Sequence, residues 1–191
     1  MLENILQKDR ELLIALNNLG SESFDYFWLT ITNQFTWIPL FATVLFFVFK
    51  KLGLKKGIFT LLFIVVLVAF SDQLTNFMKN TTERLRPCNA EELRGYLRQF
   101  SYKPGGYSFW SGHASLSTTF SVFIILIFYR SSKYILLLTV FPILFGYSRI
   151  YLGVHYPSDV LTGYISGILI GFIFYFSYKE LYKSVFKEVY T

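Results

Sequence analysis

The chain holds two histidines, His113 and His155, each inside a short polar cluster at the edge of a long apolar run. The first cluster reads Ser111-Gly112-His113. The second reads Ser148-Arg149, five residues, His155, three residues, Asp159. A third reads Lys79, six residues, Arg86-Pro87. Two imidazoles, three cations and one carboxylate suit phosphoryl transfer, which depends on positioning and on stabilising shifting negative charge.

Local rules give each group a role and an alternative. Ser111 is a good N-cap, and Gly112 lets another group approach the backbone. The first amides of a helix point outward unpaired and favour an anion, so this end is a phosphate seat with His113 beside it. A plain capped helix with an interfacial histidine is the other reading. Arg149 and Lys79 stand at C-terminal helix ends, where a cation suits the dipole and can serve merely as an interfacial anchor. Arg86 completes a set of three cations able to surround one phosphate, forked donors from arginine and a point charge from lysine. Arg84 is a fourth candidate, set against a reading as a solvated loop residue. Pro157 fits a first helical turn, which leaves His155 just outside the helix and Asp159 inside it. Asp159 can then reach back to one imidazole nitrogen, fix the tautomer and sharpen the other nitrogen as a nucleophile. The alternative is an acid that only offsets the helix dipole. Asp72, an acid within an apolar run, is expected to brace a cationic site residue, with Ser71 and Gln73 as local partners.

The elements that must position these groups are membrane helices. Of 191 residues, 53% are hydrophobic and 20% aromatic, and the mean hydropathy is +0.44, too apolar for an ordinary soluble domain. Apolar runs at 24–49, 57–79, 112–129, 134–150 and 158–178 predict about five transmembrane helices in an all-α integral membrane protein. The first is interrupted by Thr30, Thr32, Asn33, Gln34 and Thr36, which should face protein or headgroups, and Pro39 and Pro142 are potential kinks. Residues 4–18 predict a short amphipathic helix on the membrane surface, and the charges of the first twenty residues argue against a cleavable signal peptide. No linker divides residues 1–191, which read as a single domain. Gly163, Gly167 and Gly171 recur every four residues and allow close helix packing, inside the chain or between copies.

Alternating helix direction places Lys79, Arg86, Ser111, His113, Arg149, His155 and Asp159 on one membrane face, although hydropathy alone chose the helices. Nine Lys and Arg residues fall on each side, so the raw charge bias is even. At least three on the site face have a chemical reason to be there, which points the site away from the cytoplasm. The net charge of +6 suits anionic lipid; no basic tract with interleaved aromatics suggests nucleic acid. Cys88 is the only cysteine, so no intrachain disulfide forms. No His, Cys and carboxylate grouping has metal-site spacing.

The three clusters resemble the signature of the type-2 phosphatidic acid phosphatase superfamily: Lys, six residues, Arg-Pro; Pro-Ser-Gly-His; Ser-Arg, five residues, His, three residues, Asp. The first and third match at Lys79–Pro87 and Ser148–Asp159, while Trp110 stands where the family usually has proline. Since that proline shapes a turn, Trp110 bears on loop geometry and could pack at headgroup level. The resemblance implies a lipid phosphatase without metal or cofactor. In it His155 attacks phosphorus, Asp159 orients His155, and His113 protonates the leaving oxygen. Lys79, Arg86, Ser111, Gly112 and Arg149 hold the phosphate. Segment 88–107, with Arg94, Arg98, Lys103 and Gly105-Gly106, is expected to cover the entrance. By analogy with bacterial polyprenyl-diphosphate phosphatases, the first expected substrate is undecaprenyl diphosphate, at a bacterial inner membrane with the site facing the periplasm or exterior. Phosphatidylglycerophosphate, phosphatidate and lipid A phosphates follow. Transfer of the phosphate to another lipid, or a non-enzymatic anion transporter or assembly factor, are the competing readings.

Overall fold

In a computed structural model, described over residues 2–188, the chain is a bundle of helices with no strand among the described residues. Helices α1 (Leu2–Asn18) and α2 (Glu22–Thr32) precede a long α3 (Ile38–Thr82). Then come α4 (Gly112–Phe128), α5 (Val140–Tyr151) and α6 (Pro157–Phe186). Among the described residues, three stretches are long and apolar enough to cross a membrane: Gln34–Leu93, Lys133–Tyr151 and Pro157–Phe186; Gly112–Phe128 is apolar but shorter.

The first expected span is broken. Its polar residues make a turn: Asn33 Oδ1 accepts from the Phe35 amide at 3.0 Å and caps a 3-10 turn over Gln34–Trp37. Thr36 Oγ1 and Trp37 Nε1 then donate back to Thr30 and Ile31 carbonyls at 2.7 and 2.9 Å. Pro39 consequently sits in the first turn of α3, where it interrupts no hydrogen bond, and is not a kink. The break in α3 lies at Gly53, whose φ of 72° and ψ of 177° only glycine adopts readily. A straight helix of that length would span about 67 Å. Instead Gln34, Phe41 and Leu45 line one cavity with Leu61, Val68 and Lys79. Segments 38–52 and 54–82 therefore fold back on each other as a hairpin.

The helices α4 and α6 make the most extensive contact, through the glycine stripe. A Cβ on Gly163 would come within 2.7 Å of the Ser111 carbonyl oxygen, and one on Gly167 within 2.6 Å of that of Ser115. Gly171 likewise abuts Val122. The stripe is consumed by α4 of the same chain and leaves no room there for a second copy, so self-association through Gly163, Gly167 and Gly171 does not describe this face.

Helix α1 is more than a surface float. Leu13 is fully buried in a cluster with Leu93, Leu97, Ala114, Ile150, Tyr156 and Val160. Asp9 and Asn17, one turn to either side, are buried too. Ile5, Leu6, Leu12 and Leu19 remain exposed, so an apolar edge is still free for lipid.

Candidate active site

The site is assembled from one end of α3, the first turns of α4 and α6, the last turn of α5 and the loops beside them. Pro157 starts α6, and Asp159 in its first turn accepts the Tyr156 amide on Oδ2 at 2.9 Å. The same Oδ2 lies 3.4 Å from His155 Nδ1, and both side chains are buried. On the other edge of the ring, Arg86 Nη1 stands 3.1 Å from His155 Nε2. Guanidinium only donates, so Nε2 must accept and the ring proton must sit on Nδ1, facing Asp159. The lone pair of Nε2 is thus the reactive one. Burial first, then Arg149, Arg86 and Lys79, hold the imidazole well below its usual range, so it stays neutral.

The cations converge on this ring. Arg86 is 5% exposed; its Nε donates to the Gly105 and Gly106 carbonyls at 3.0 and 3.2 Å. Arg149 is 1% exposed. Its Nη1 donates to Thr32 Oγ1 at the end of α2 and to Tyr102 Oη at 3.2 Å. Its Nε is buried with no acceptor among the described residues, a donor that a phosphate oxygen would satisfy. The position of a Cβ on Gly112 would lie 3.8 Å from Lys79 Nζ, so the start of α4 and the end of α3 meet. Ser111 caps α4 by accepting the Ala114 amide at 3.5 Å, and its own amide donates to the Asp159 carbonyl at 3.0 Å. His113 packs on Phe145 at 4.3 Å between ring centroids, with His155 and the cations Arg149 and Lys79 as neighbours.

Lys79, Gly112 and His113 also line the polar end of a cavity of about 500 Å³. Its remaining wall is largely apolar, with Phe41, Val68, Phe120 and Phe145 among its residues. A polar phosphate seat therefore opens onto apolar space within the helices.

A family model for the PAP2 superfamily matches residues 57–183, the stretch that contains all three clusters. The chain belongs to the PAP2 superfamily. Two lipid A 4'-phosphatases, of Bacteroides thetaiotaomicron and Porphyromonas gingivalis, are each 32% identical to it. Each match covers 87% of this chain, and 75% and 71% of the respective relative. An undecaprenyl-diphosphatase of Sulfolobus acidocaldarius is 33% identical over 136 residues, 71% of this chain and 60% of that protein. The crystal structure of Aquifex aeolicus LpxE superposes with a TM-score of 0.64 at 25% identity, over 86% of this chain and 92% of that one. A PAP2-type phosphatidylglycerolphosphate phosphatase from Bacillus subtilis shares the fold, with a TM-score of 0.67 at 20% identity over 95% and 88% of the two chains. This PAP2 protein is thus an integral-membrane lipid phosphatase.

Three expectations for the PAP2 site need correction. Asp72 makes no hydrogen bond or ion pair with a cation and acts on Lys79 only through space, from the same cavity wall: its Oδ2 accepts from Asn76 at 3.0 Å, one turn on, while Ser71 points to Thr119. Arg84 is half-buried and its guanidinium is engaged by carboxylates rather than left for phosphate, by Asp159 Oδ1 at 2.7 Å and by Asp9 Oδ2 at 2.7 Å. Trp110 is buried in protein rather than turned outward to headgroups, with Nε1 donating to Thr75 Oγ1 at 3.1 Å. Segment 88–107 touches the site through the Gly105 and Gly106 carbonyls on Arg86 and through Tyr102 on Arg149, while its Arg98 points to α2, forked onto both oxygens of Asp25 at 2.7 and 2.8 Å. Sequence reasoning missed Asp9, Asn17, Thr32 and Tyr102. Only α1 carried a signal, since Asp9, Leu13 and Asn17 recur every four residues on one helical face.

Proposed function

We propose that this protein hydrolyses a phosphate monoester on a lipid A-type glycolipid through a phosphohistidine on His155. The observation that carries the reading is the buried, neutral His155, its Nδ1 toward Asp159 and its Nε2 among Arg86, Arg149 and Lys79. In the first step Arg86 moves from Nε2 to a phosphate oxygen. Nε2 then attacks phosphorus, a P–N bond forms, and the P–O bond to the lipid breaks. His113, protonated on both ring nitrogens beside the bound phosphate, gives one proton to the departing lipid oxygen and is left neutral. In the second step His113 takes a proton from water, whose oxygen attacks the same phosphorus. The P–N bond breaks, inorganic phosphate leaves and His155 is restored. Asp159 holds the ring throughout and offsets the positive charge it gains. Lys79, Arg149 and the first amides of α4 stabilise the phosphate oxygens in both steps.

The choice of lipid rests on the two lipid A 4'-phosphatases, which align with most of this chain. It displaces undecaprenyl diphosphate as first candidate, which keeps the support of one relative of which this chain covers 60%. The apolar cavity beside Lys79 and His113 would take part of an acyl or prenyl chain. No step needs a metal, so activity should persist in chelator.

The test is phosphate release in detergent with chelator from lipid A, undecaprenyl diphosphate and phosphatidylglycerophosphate, by wild type and His155→Ala. Fastest release from lipid A, abolished in His155→Ala, is the expected result. Faster release from undecaprenyl diphosphate would overturn the substrate assignment. Release undiminished in His155→Ala, or dependent on added magnesium, would overturn the chemistry.

A further inference from the structure

The second oxygen of Asp159 leads away from the reaction, along a chain of bonds to the N-terminal helix. Asp159 Oδ1 accepts from Arg84 Nη1 at 2.7 Å, and Arg84 Nη2 donates to Asp9 Oδ2 at 2.7 Å. Asp9 Oδ1 accepts from the Ser158 amide at 2.8 Å, while its Oδ2 also accepts from Ser158 Oγ. Arg84 Nη1 donates to that same hydroxyl at 2.8 Å. The Arg84 guanidinium lies 3.8 Å over the Tyr156 ring, and the Arg84 carbonyl accepts from the Ser108 amide at 2.8 Å. Asp9 is 8% exposed with both oxygens hydrogen-bonded, and both terminal nitrogens of Arg84 are engaged by carboxylates.

We infer that Asp9 is a positioning residue for catalysis, acting through Arg84 on the Asp159–His155 pair. Arg84 alone would draw the charge of Asp159 away from His155. With Asp9 on the far side, the Asp9–Arg84–Asp159 array keeps a net charge of −1, and Asp159 remains free to hold the Nδ1 proton. As Nε2 bonds to phosphorus the ring becomes cationic, and this retained charge is needed most at that moment. Asp9 also ties to Ser158, which lies between His155 and Asp159 in their loop-to-helix turn, and so fixes the geometry as well as the field. Through this chain α1 becomes part of the catalytic apparatus. The inference rests on His155 as nucleophile, and His155→Ala reports on that reading separately.

The experiment compares kcat and KM at fixed pH for wild type, Asp9→Asn, Asp9→Ala, Arg84→Ala and the Asp9→Ala/Arg84→Ala double variant, with Asp9→Glu as the conservative rescue. Val48→Ala serves as control, since Val48 is buried in the core near the Gly53 turn, at the hairpin end of α3 away from the site. Asp9→Asn should lower kcat by about tenfold or more, the scale of effects from groups that orient reacting side chains, with KM changed less than twofold. Asp9→Glu should recover part of the loss, and the double variant should be no slower than Arg84→Ala, because both act along one path. Val48→Ala should lower the unfolding temperature and leave kcat near wild type. Unchanged kcat in Asp9→Asn, fully multiplicative losses in the double variant, or an equal loss of kcat in Val48→Ala would overturn the inference.

Discussion

At the scale of single residues, the site works by assigning opposite jobs to the two edges of one imidazole. Asp159 takes the proton-bearing edge and Arg86 marks the reactive one. Burial and three cations keep the ring neutral below its ordinary range. The sign follows directly: the folded protein resists protonation of His155, so the nucleophile is lost only when the pH falls through a pKa lowered by its surroundings. The acid limb of kcat/KM assigned to His155 should therefore lie below pH 6.5, the ordinary histidine value, in a profile that allows for titration of the substrate phosphate. A limb at or above that value would mean the ring is more solvated than its burial indicates. The His155 and Asp159 pairing was legible in the sequence because it is local, a proline-started helix that puts the acid one turn from the histidine. The burial of Asp9 had only the spacing Asp9, Leu13, Asn17 to signal it, and its role was not legible, because its partner Ser158 lies 149 positions away.

At the scale of elements, the close contact of α4 with α6 holds the histidines in register, since one follows the start of α4 and the other precedes the start of α6. Gly167 sits mid-contact, with the Ser115 carbonyl and Thr118 side chain where a Cβ would go. Gly167→Ala should force the helices apart and cost roughly 1–3 kcal/mol by overpacking, read as a lower unfolding temperature in detergent, with a fall in activity as the histidines lose register. An unchanged unfolding temperature would show that the helices adjust freely. Hydropathy marked the apolar runs well, because lipid demands them whatever the tertiary structure. It failed at 24–49, where Thr30, Asn33 and Thr36 spend their hydrogen bonds on a turn and Thr32 is delivered to Arg149. The place of the hairpin turn was legible, between the runs 24–49 and 57–79, but the positive φ of Gly53 that makes it was not.

At the scale of the whole molecule, the charges on the two sides are equal in number but unequal in employment. On the site side Lys79, Arg86 and Arg149 surround the reactive ring, and Arg84, Arg98 and Arg10 pair with Asp9 and Asp159, Asp25, and Glu92. On the other side Lys56 pairs with Glu188, while Lys50, Lys51 and Lys55 sit at the exposed hairpin turn. We propose that the site faces away from the cytoplasm, because Lys79, Arg86 and Arg149 are held on the site side by chemistry rather than by topology. In a Cys88→Ser background, Lys103→Cys in segment 88–107 should react with a membrane-impermeant thiol reagent in intact cells, and Lys55→Cys only after permeabilisation. The reverse pattern would invert the orientation.

The central claim is that a bond forms between phosphorus and His155, and a rapid quench tests it most directly. Enzyme mixed with lipid carrying a radiolabelled phosphate should be stopped within one turnover, digested and mapped under alkaline conditions that preserve phosphohistidine. The account predicts label on the peptide containing His155, lost in His155→Ala and retained longer in a variant with His113 replaced, where water is no longer activated. Labelled inorganic phosphate released with no labelled enzyme at any quench time would contradict it and place water, not His155, at phosphorus.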